Sequence, residues 1–184
     1  METKKGKAFA IWVTGLPASG KSTLAASLQS QLAEKGINTA VLESDALRKI
    51  FTPHPHYDDA EREDFYRQMV FVGALLTQFG TPVIFDATAN RRRYRDLARQ
   101  QIPQFLEVYV DSPLEICAAR DPKGIYRRAR ADAANTVPGL QAPYEPPVMP
   151  DVVFRGDQEP PESAARRVIA KLAEKGYLSP AGSH

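Results

Sequence analysis

Cysteine occurs once in the 184 residues, at Cys117, so no internal disulfide can form and the chain suits a reducing cytoplasm. Long apolar runs are missing too: none approaches a membrane span, and the start METKKGKAFAIW has no cleavable signal pattern. Charge of one sign is scarce, because 24 Lys and Arg against 22 Asp and Glu leave a net +2. So small an excess does not advertise nucleic acid as a partner. Histidine is sparse: His54 and His56 in PHPHYDD have no further histidine or cysteine cluster beside them, which favours a loop near a ligand over a metal site. No internal repeat or long linker divides the chain. It is expected to be one domain, 1–184, with a core of about 8–177; the terminal AGSH is left out of the reading.

What is present is a regular alternation. AFAIWVTG, TAVLESD, PVIFDA, FLEVYVD and DVVFRG are β-rich runs, several of them apolar almost without interruption. Such runs suit strands buried on both faces of a parallel sheet. Between them Leu24, Leu28 and Leu32 mark a helix that Gly36 should end, and Phe65, Met69, Val72, Leu76 and Phe79 recur at helical spacing. Val168, Ile169 and Leu172 do the same after Pro160 and Pro161. The alternation implies a three-layer α/β domain. Residues 136–151, TVPGLQAPYEPPVMPD, are proline-rich and read as a loop.

The strongest chemical signal is GLPASGKS, Gly15–Ser22, which matches G-x-x-x-x-G-K-S between a predicted strand and a predicted helix. In that setting the loop of Gly15, Leu16, Pro17, Ala18, Ser19 and Gly20, with Thr23 just beyond, surrounds a nucleotide's phosphates, with backbone N–H donors from every one of these residues but Pro17. Lys21 would reach the β- and γ-phosphates and the Ser22 hydroxyl would bind Mg²⁺. ATP with Mg²⁺ is therefore the expected pair. No guanine-reading Asn-Lys-x-Asp tetrad appears, and no added module of a motor, which leaves a small kinase.

Two strand ends carry carboxylates. VLESDALR puts Glu43 and Asp45 where α/β sheets hold ligands, and there Asp45 could take a proton from a substrate hydroxyl. Its rival role is a helix N-cap. VIFD ends in Asp86, either a carboxylate approaching the metal or again an N-cap.

Taken together, GLPASGKST, ESDALR, EREDFYRQM, FLEVYVDSPLEICAARDPKGIYRRARA and PYEPP resemble the adenylylsulfate kinases, collinearly from about Ile11 to about Lys171. RDPKGIYRRAR followed by PYEPP is the more specific part. The resemblance implies a P-loop kinase with a five-stranded parallel sheet, in a family of which many members are homodimers. It implies transfer of the γ-phosphate of MgATP to the 3′-hydroxyl of adenosine 5′-phosphosulfate, giving PAPS. By position it makes Asp45 the catalytic aspartate, Arg48 and Arg62 substrate-binding arginines, Tyr57 an aromatic stacked on the adenine, and Lys123 a lysine in a segment over the site with Arg120 beside it.

Three positions depart from the pattern. Phe65 stands where the family usually has asparagine, Val137 where it has a second aromatic wall, and Ala89 where some members carry a phosphorylatable serine. These keep a second reading open, a related P-loop kinase of another small or nucleotide-like alcohol. A third comes from FDATANRRRYRD, whose turn is similar to that of polynucleotide-kinase-like proteins. In the helix expected after Asn90, Tyr94, Leu97 and Ala98 share one face and Arg92, Arg95 and Arg99 the opposite, solvated one, while Arg91 is the arginine most able to reach a ligand.

Overall fold

The computed structural model describes residues 8–131 and 136–178; the signal-pattern reading of the first residues and the terminal AGSH lie outside them. In chain order the elements are β1 Ala10–Gly15, α1 Lys21–Glu34, β2 Ala40–Glu43, α2 Ser44–Phe51, α3 Asp59–Gln78, β3 Val83–Asp86, α4 Arg92–Gln101, β4 Phe105–Val110, α5 Leu114–Arg120, α6 Ile125–Ala131, β5 Val152–Phe154 and α7 Pro161–Glu174. The five strands form one sheet in the order β2-β3-β1-β4-β5, and every pairing is parallel.

Alternation along the strands builds the layers. Ile11 and Val13 of β1, Ile84 of β3, and Leu106 and Val108 of β4 face one side. There they meet Leu24, Leu28 and Leu32 of α1 and Val168, Ile169 and Leu172 of α7. Trp12, Val83, Phe85 and Phe105 face the other side and pack on Phe65, Met69 and Val70 of α3 and Tyr94 and Ala98 of α4. α3 comes so close to β3 that a Cβ on Gly73 would lie 2.1 Å from Phe85 Cζ, a contact no larger residue could make. The layered α/β expectation therefore holds, Trp12 and Cys117 are buried, and Gly36 follows the end of α1.

The α3 stripe is only partly internal. Phe65 and Met69 are buried and Val72 and Leu76 half-buried, whereas Phe79 is exposed, together with Phe71 and Leu75 on the outer face.

Helix α4 departs most from expectation. Arg95 is 1% exposed and not on a solvated face. At 100° per residue it lies only about 60° from Ala98, so it flanks the apolar stripe and does not oppose it. Its destination is Glu107, which alternation turns onto the same face of β4 as Phe105; Arg95 Nε donates to Glu107 Oε1 at 2.7 Å and Arg99 Nη2 to Oε2 at 2.9 Å.

Candidate active site

β1 lies between β3 and β4, and the loop leaving its C-terminal end starts α1, so the phosphate-loop sequence sits at the sheet's switch point. Ala18 (φ 59) and Gly20 (φ 106) adopt left-handed backbone to wrap the loop, and no side chain caps the N-terminus of α1. That leaves the positive end of the helix facing the cavity. Pro17, Ala18, Gly20, Lys21, Ser22 and Thr23 line this cavity, of about 550 Å³. Gly15, Leu16 and Ser19 are set back: the Leu16 side chain packs near Cys117 and Tyr126, and the loop is closed by Ser19 N–H donating to Leu16 O at 3.2 Å. Lys21 Nζ donates to Leu16 O at 2.8 Å, and burial pulls its ammonium down to about 8 although Asp86 and Asp45 oppose the shift.

Carboxylates face this loop from the neighbouring strand ends. Glu43 pairs in register with Asp86, and Asp86 with Val13, so β2, β3 and β1 end side by side. Asp86 is 4% exposed, borders the cavity, and takes no hydrogen bond or ion pair from the described residues. It is not an N-cap, since the next helix is capped from Arg91. Asp45 is not an N-cap either, for Glu43 holds that position and Asp45 lies in the first turn of α2. Lys123, between α5 and α6, places its ammonium 2.5 Å from Asp45 Oδ2, and that bond raises the ammonium's pKa. Lys123, Arg120 and Asp45 all border the cavity that the phosphate loop lines.

A second cavity, of about 250 Å³, adjoins the first and shares Asp45, Pro17 and Thr88 with it. Arg48, Tyr57 and Arg62 all line it, as do Val137 and Arg128. Arg62 is almost fully buried; its Nη2 donates to Thr136 O at 2.5 Å and to Thr136 Oγ1 at 2.9 Å. Thr136 Oγ1 donates in turn to Tyr57 O at 3.0 Å. Tyr57 holds left-handed backbone (φ 58), strained for an aromatic residue, and Glu61 fixes that turn by accepting from the N–H groups of His56 at 2.6 Å and Tyr57 at 3.3 Å. Glu61 also lies 3.4 Å from Arg48 Nη1. No local sequence pattern singles out Glu61 beyond its place in EREDF.

From the turn 87–91, Thr88 lines both cavities and Asn90 the second, and hydrogen bonds tie the turn to its surroundings. Ala89 (φ 42) donates its N–H to Tyr66 Oη at 2.9 Å, and Arg95 Nη1 donates to Ala89 O. Burial pushes the Tyr66 phenol up, which keeps it protonated. Asn90 Nδ2 donates to Pro143 O at 3.0 Å, and Glu145 N–H to Asn90 O at 2.8 Å. Arg95 Nη2 reaches Glu145 O at 2.6 Å, so PYEPP and the turn share one buried guanidinium. Arg91 does not line either cavity; it pairs with Glu145 at 3.1 Å and Asp59 at 3.7 Å. The available clue to Arg95 was Glu107, a charge inside a strand expected to be buried on both faces.

Comparison with known proteins gives one answer. The sequence model of the family described as Adenylylsulphate kinase matches residues 7–155. The adenylyl-sulfate kinase of Halothermothrix orenii is 39% identical over 179 residues, covering 97% of this chain and 96% of that one. That of Microcystis aeruginosa is 38% identical over 174 residues, covering 95% and 96%. Among solved structures, the Mycobacterium tuberculosis APS kinase CysC in complex with AMPPNP and APS superposes with a TM-score of 0.85 at 34% identity, covering 91% of this chain and 98% of that one.

Proposed function

Because the chain belongs to the adenylylsulphate kinase family, we propose that it transfers the γ-phosphoryl group of ATP to the 3′-hydroxyl of adenosine 5′-phosphosulfate, forming PAPS for sulfate assimilation. The observation that carries the reading is the pair of adjoining cavities with Asp45 between them. One is a phosphate loop at a helix N-terminus; the other is lined by Arg48, Arg62 and Tyr57. A triphosphate on one side and an anionic nucleotide on the other meet at a carboxylate.

Gly15–Thr23 bind the ATP phosphates, with Lys21 neutralising the oxygens on the transferring group. Lys21 must exchange its bond to Leu16 O for the phosphate, and the added negative charge restores its full positive charge. Asp45 accepts or orients the proton of the 3′-hydroxyl, which aims that oxygen in line with the γ-phosphorus. Arg48 and Arg62 hold the phosphosulfate, and the Tyr57 ring lies against the adenine. Lys123 parts from Asp45 as the acceptor enters and then faces the transferring charge.

Ser22 and Asp86 fit Mg²⁺: a hydroxyl and an unpartnered carboxylate share the phosphate-loop cavity. Among the described residues no three carboxylates, histidines or cysteines form a metal cage, which suits an ion bound mainly by nucleotide oxygens and water. When bound, Mg²⁺ would neutralise negative charge on the nucleotide's phosphates.

The arginines of FDATANRRRYRD support a small acceptor over nucleic acid. Arg91 pairs with Glu145, Arg93 with Glu63 and Arg95 with Glu107, and Arg92 Nε donates to Pro146 O, so all four are engaged within the protein. Phe71, Leu75 and Phe79 repeat every fourth residue on the outer face of α3, and all are exposed. This strip supports a homodimer. Among the described residues no helix is long and apolar enough to cross a membrane, and a cytoplasmic setting is proposed with the single buried thiol.

The test is ADP release measured with adenylylsulfate, with other nucleotide-like alcohols, with a 5′-hydroxyl oligonucleotide and with no acceptor. Turnover that depends on adenylylsulfate is expected. Turnover confined to another alcohol or to the oligonucleotide would overturn the assignment, as would slow hydrolysis indifferent to any acceptor.

A further inference from the structure

Phe65 is fully buried on α3, yet one face of its ring touches the acceptor cavity's machinery: the guanidinium carbon of Arg48 lies 4.0 Å from the ring centroid. The same guanidinium is 5.3 Å from the centroid of Tyr57. Phe65, Arg48 and Tyr57 thus form a column in which the cation is the middle layer. The base of the column is fixed. Tyr66 meets the Phe65 ring edge-on (5.2 Å, 74°), and Phe51 closes from another side (6.2 Å, 57°).

We propose that Phe65 is a positioning residue for the acceptor: it holds the Arg48 guanidinium by its ring face and leaves the N–H donors of Arg48 for the anionic end of the substrate. The reason lies in how a cation is held. A carboxylate or amide in that place would occupy one or two of the five guanidinium donors, whereas an aromatic face attracts the cation electrostatically and occupies none. The neighbouring carboxylate, Glu61, is only loosely engaged, at 3.4 Å, and is shared with two backbone N–H groups. The ring therefore sets where Arg48 sits, and Arg48 in turn backs the Tyr57 ring. Phe65 thereby supports both substrate-facing side chains, Arg48 and Tyr57.

This inference rests on the adenylylsulfate reading, and the experiment separates the two. Initial rates are measured against adenylylsulfate and against ATP for wild type, Phe65→Leu, Phe65→Tyr, Arg48→Met and the Phe65→Leu/Arg48→Met double variant, with a thermal melt for each. Phe65→Leu is expected to raise KM for adenylylsulfate about three- to thirtyfold, the span of a desolvated cation–π contact, and to leave KM for ATP within about twofold. Phe65→Tyr, which keeps the ring, should restore most of that loss. In the Arg48→Met background the Leu substitution should add less than about twofold, because the group it positions is gone.

An unchanged KM for adenylylsulfate in Phe65→Leu, or full additivity with Arg48→Met, would overturn the positioning role while leaving the adenylylsulfate reading intact. No adenylylsulfate turnover by the wild type would overturn both. Should Phe65→Leu fail to fold, Arg48→Lys asks the same question from the other partner. A lysine keeps the charge but not the planar stack, so a KM for adenylylsulfate equal to wild type would reject the column.

Discussion

Lys123 and Asp45 are 78 residues apart in sequence and joined in space: the lysine ammonium lies 2.5 Å from Asp45 Oδ2 across the mouth of the phosphate-loop cavity. Both side chains are 56% exposed, so solvent screens the pair and its contribution to folding is small, about 0–1 kcal/mol. Its importance is positional, since it holds the proposed base and a cation at the place where the transferring group would pass. Asp45→Asn and Lys123→Met should therefore each shift the melting temperature little. Asp45→Asn should lower kcat by about 10²- to 10⁴-fold, with KM for ATP nearly unchanged. A melting shift of many degrees, or a kcat close to wild type, would remove Asp45 from the mechanism.

Burial of Lys21 gives a pH dependence with a definite sign. Its folded pKa, about 8, lies below a lysine's ordinary 10.5, so above pH 8 the folded enzyme loses this proton before the unfolded chain does. The unfolded state then binds more protons, and this residue makes stability rise with pH between about 8 and 10.5. Nucleotide affinity moves the opposite way, because the triphosphate binds the charged form. ATP affinity should be flat below pH 8 and fall by up to about tenfold per unit above it. Titration calorimetry in buffers of different ionisation enthalpy should show proton uptake on binding, and Lys21→Met should abolish both the uptake and the slope.

Arg95→Met is expected to be the most destabilising of the arginine substitutions in α4. It leaves the Glu107 carboxylate buried with only the half-exposed Arg99 beside it, and frees the carbonyls of Ala89 and Glu145. Stranding a buried charge costs about 3–5 kcal/mol, with the lower end expected here because Arg99 remains. Urea unfolding should report a lowered midpoint at unchanged slope, whereas Arg92→Met should stay within about 0.5 kcal/mol of wild type.

Val137 offers a check on the pocket wall. Its side chain is 6% exposed and packs with Cys117, Tyr126 and Ala129 as well as bordering the acceptor cavity. A ring at that place gains stacking area against the adenine but must displace this packing. Val137→Phe should lower KM for adenylylsulfate while costing about 1–3 kcal/mol of stability. A melt identical to wild type would mean the cluster has room to spare, and an unchanged KM would reject valine as the reason for a weaker wall.

The proposed homodimer is tested on α3. Phe71→Glu and Leu75→Glu change only exposed positions, so the fold should persist while light scattering shows the mass fall to that of one chain. Wild type and variants of equal mass would exclude this strip as the interface.

Legibility followed sequence distance. Gly15–Ser22 reads as a phosphate loop because the strand, the turn and the helix N-terminus are consecutive, and each signal is local. The five strands were visible as apolar runs, since a parallel sheet covered on both faces leaves few polar positions. The apolar spacing of α3 predicted its inner face through Phe65 and Met69 but carried on to Phe79, which is exposed. Periodicity counts apolar residues without knowing which of them meet a sheet.

What the sequence by itself determined is therefore the three-layer α/β plan, the phosphate loop with Lys21 and Ser22, and carboxylates at the ends of β2 and β3. Arg48, Tyr57 and Arg62 entered through family resemblance, not through any local pattern. Only the tertiary structure decided that Asp45 meets Lys123, that Arg95 turns inward to Glu107, Ala89 and Glu145, and that Phe65 stacks beneath Arg48. In each case the partner lies on a different element, and which polar group is buried with which depends on the packing that brings those elements together. A charged side chain is costly to leave alone in a low-dielectric interior, so packing gives the buried Arg95 and Glu107 each other, while Asp86, buried without a partner among the described residues, borders the phosphate-loop cavity.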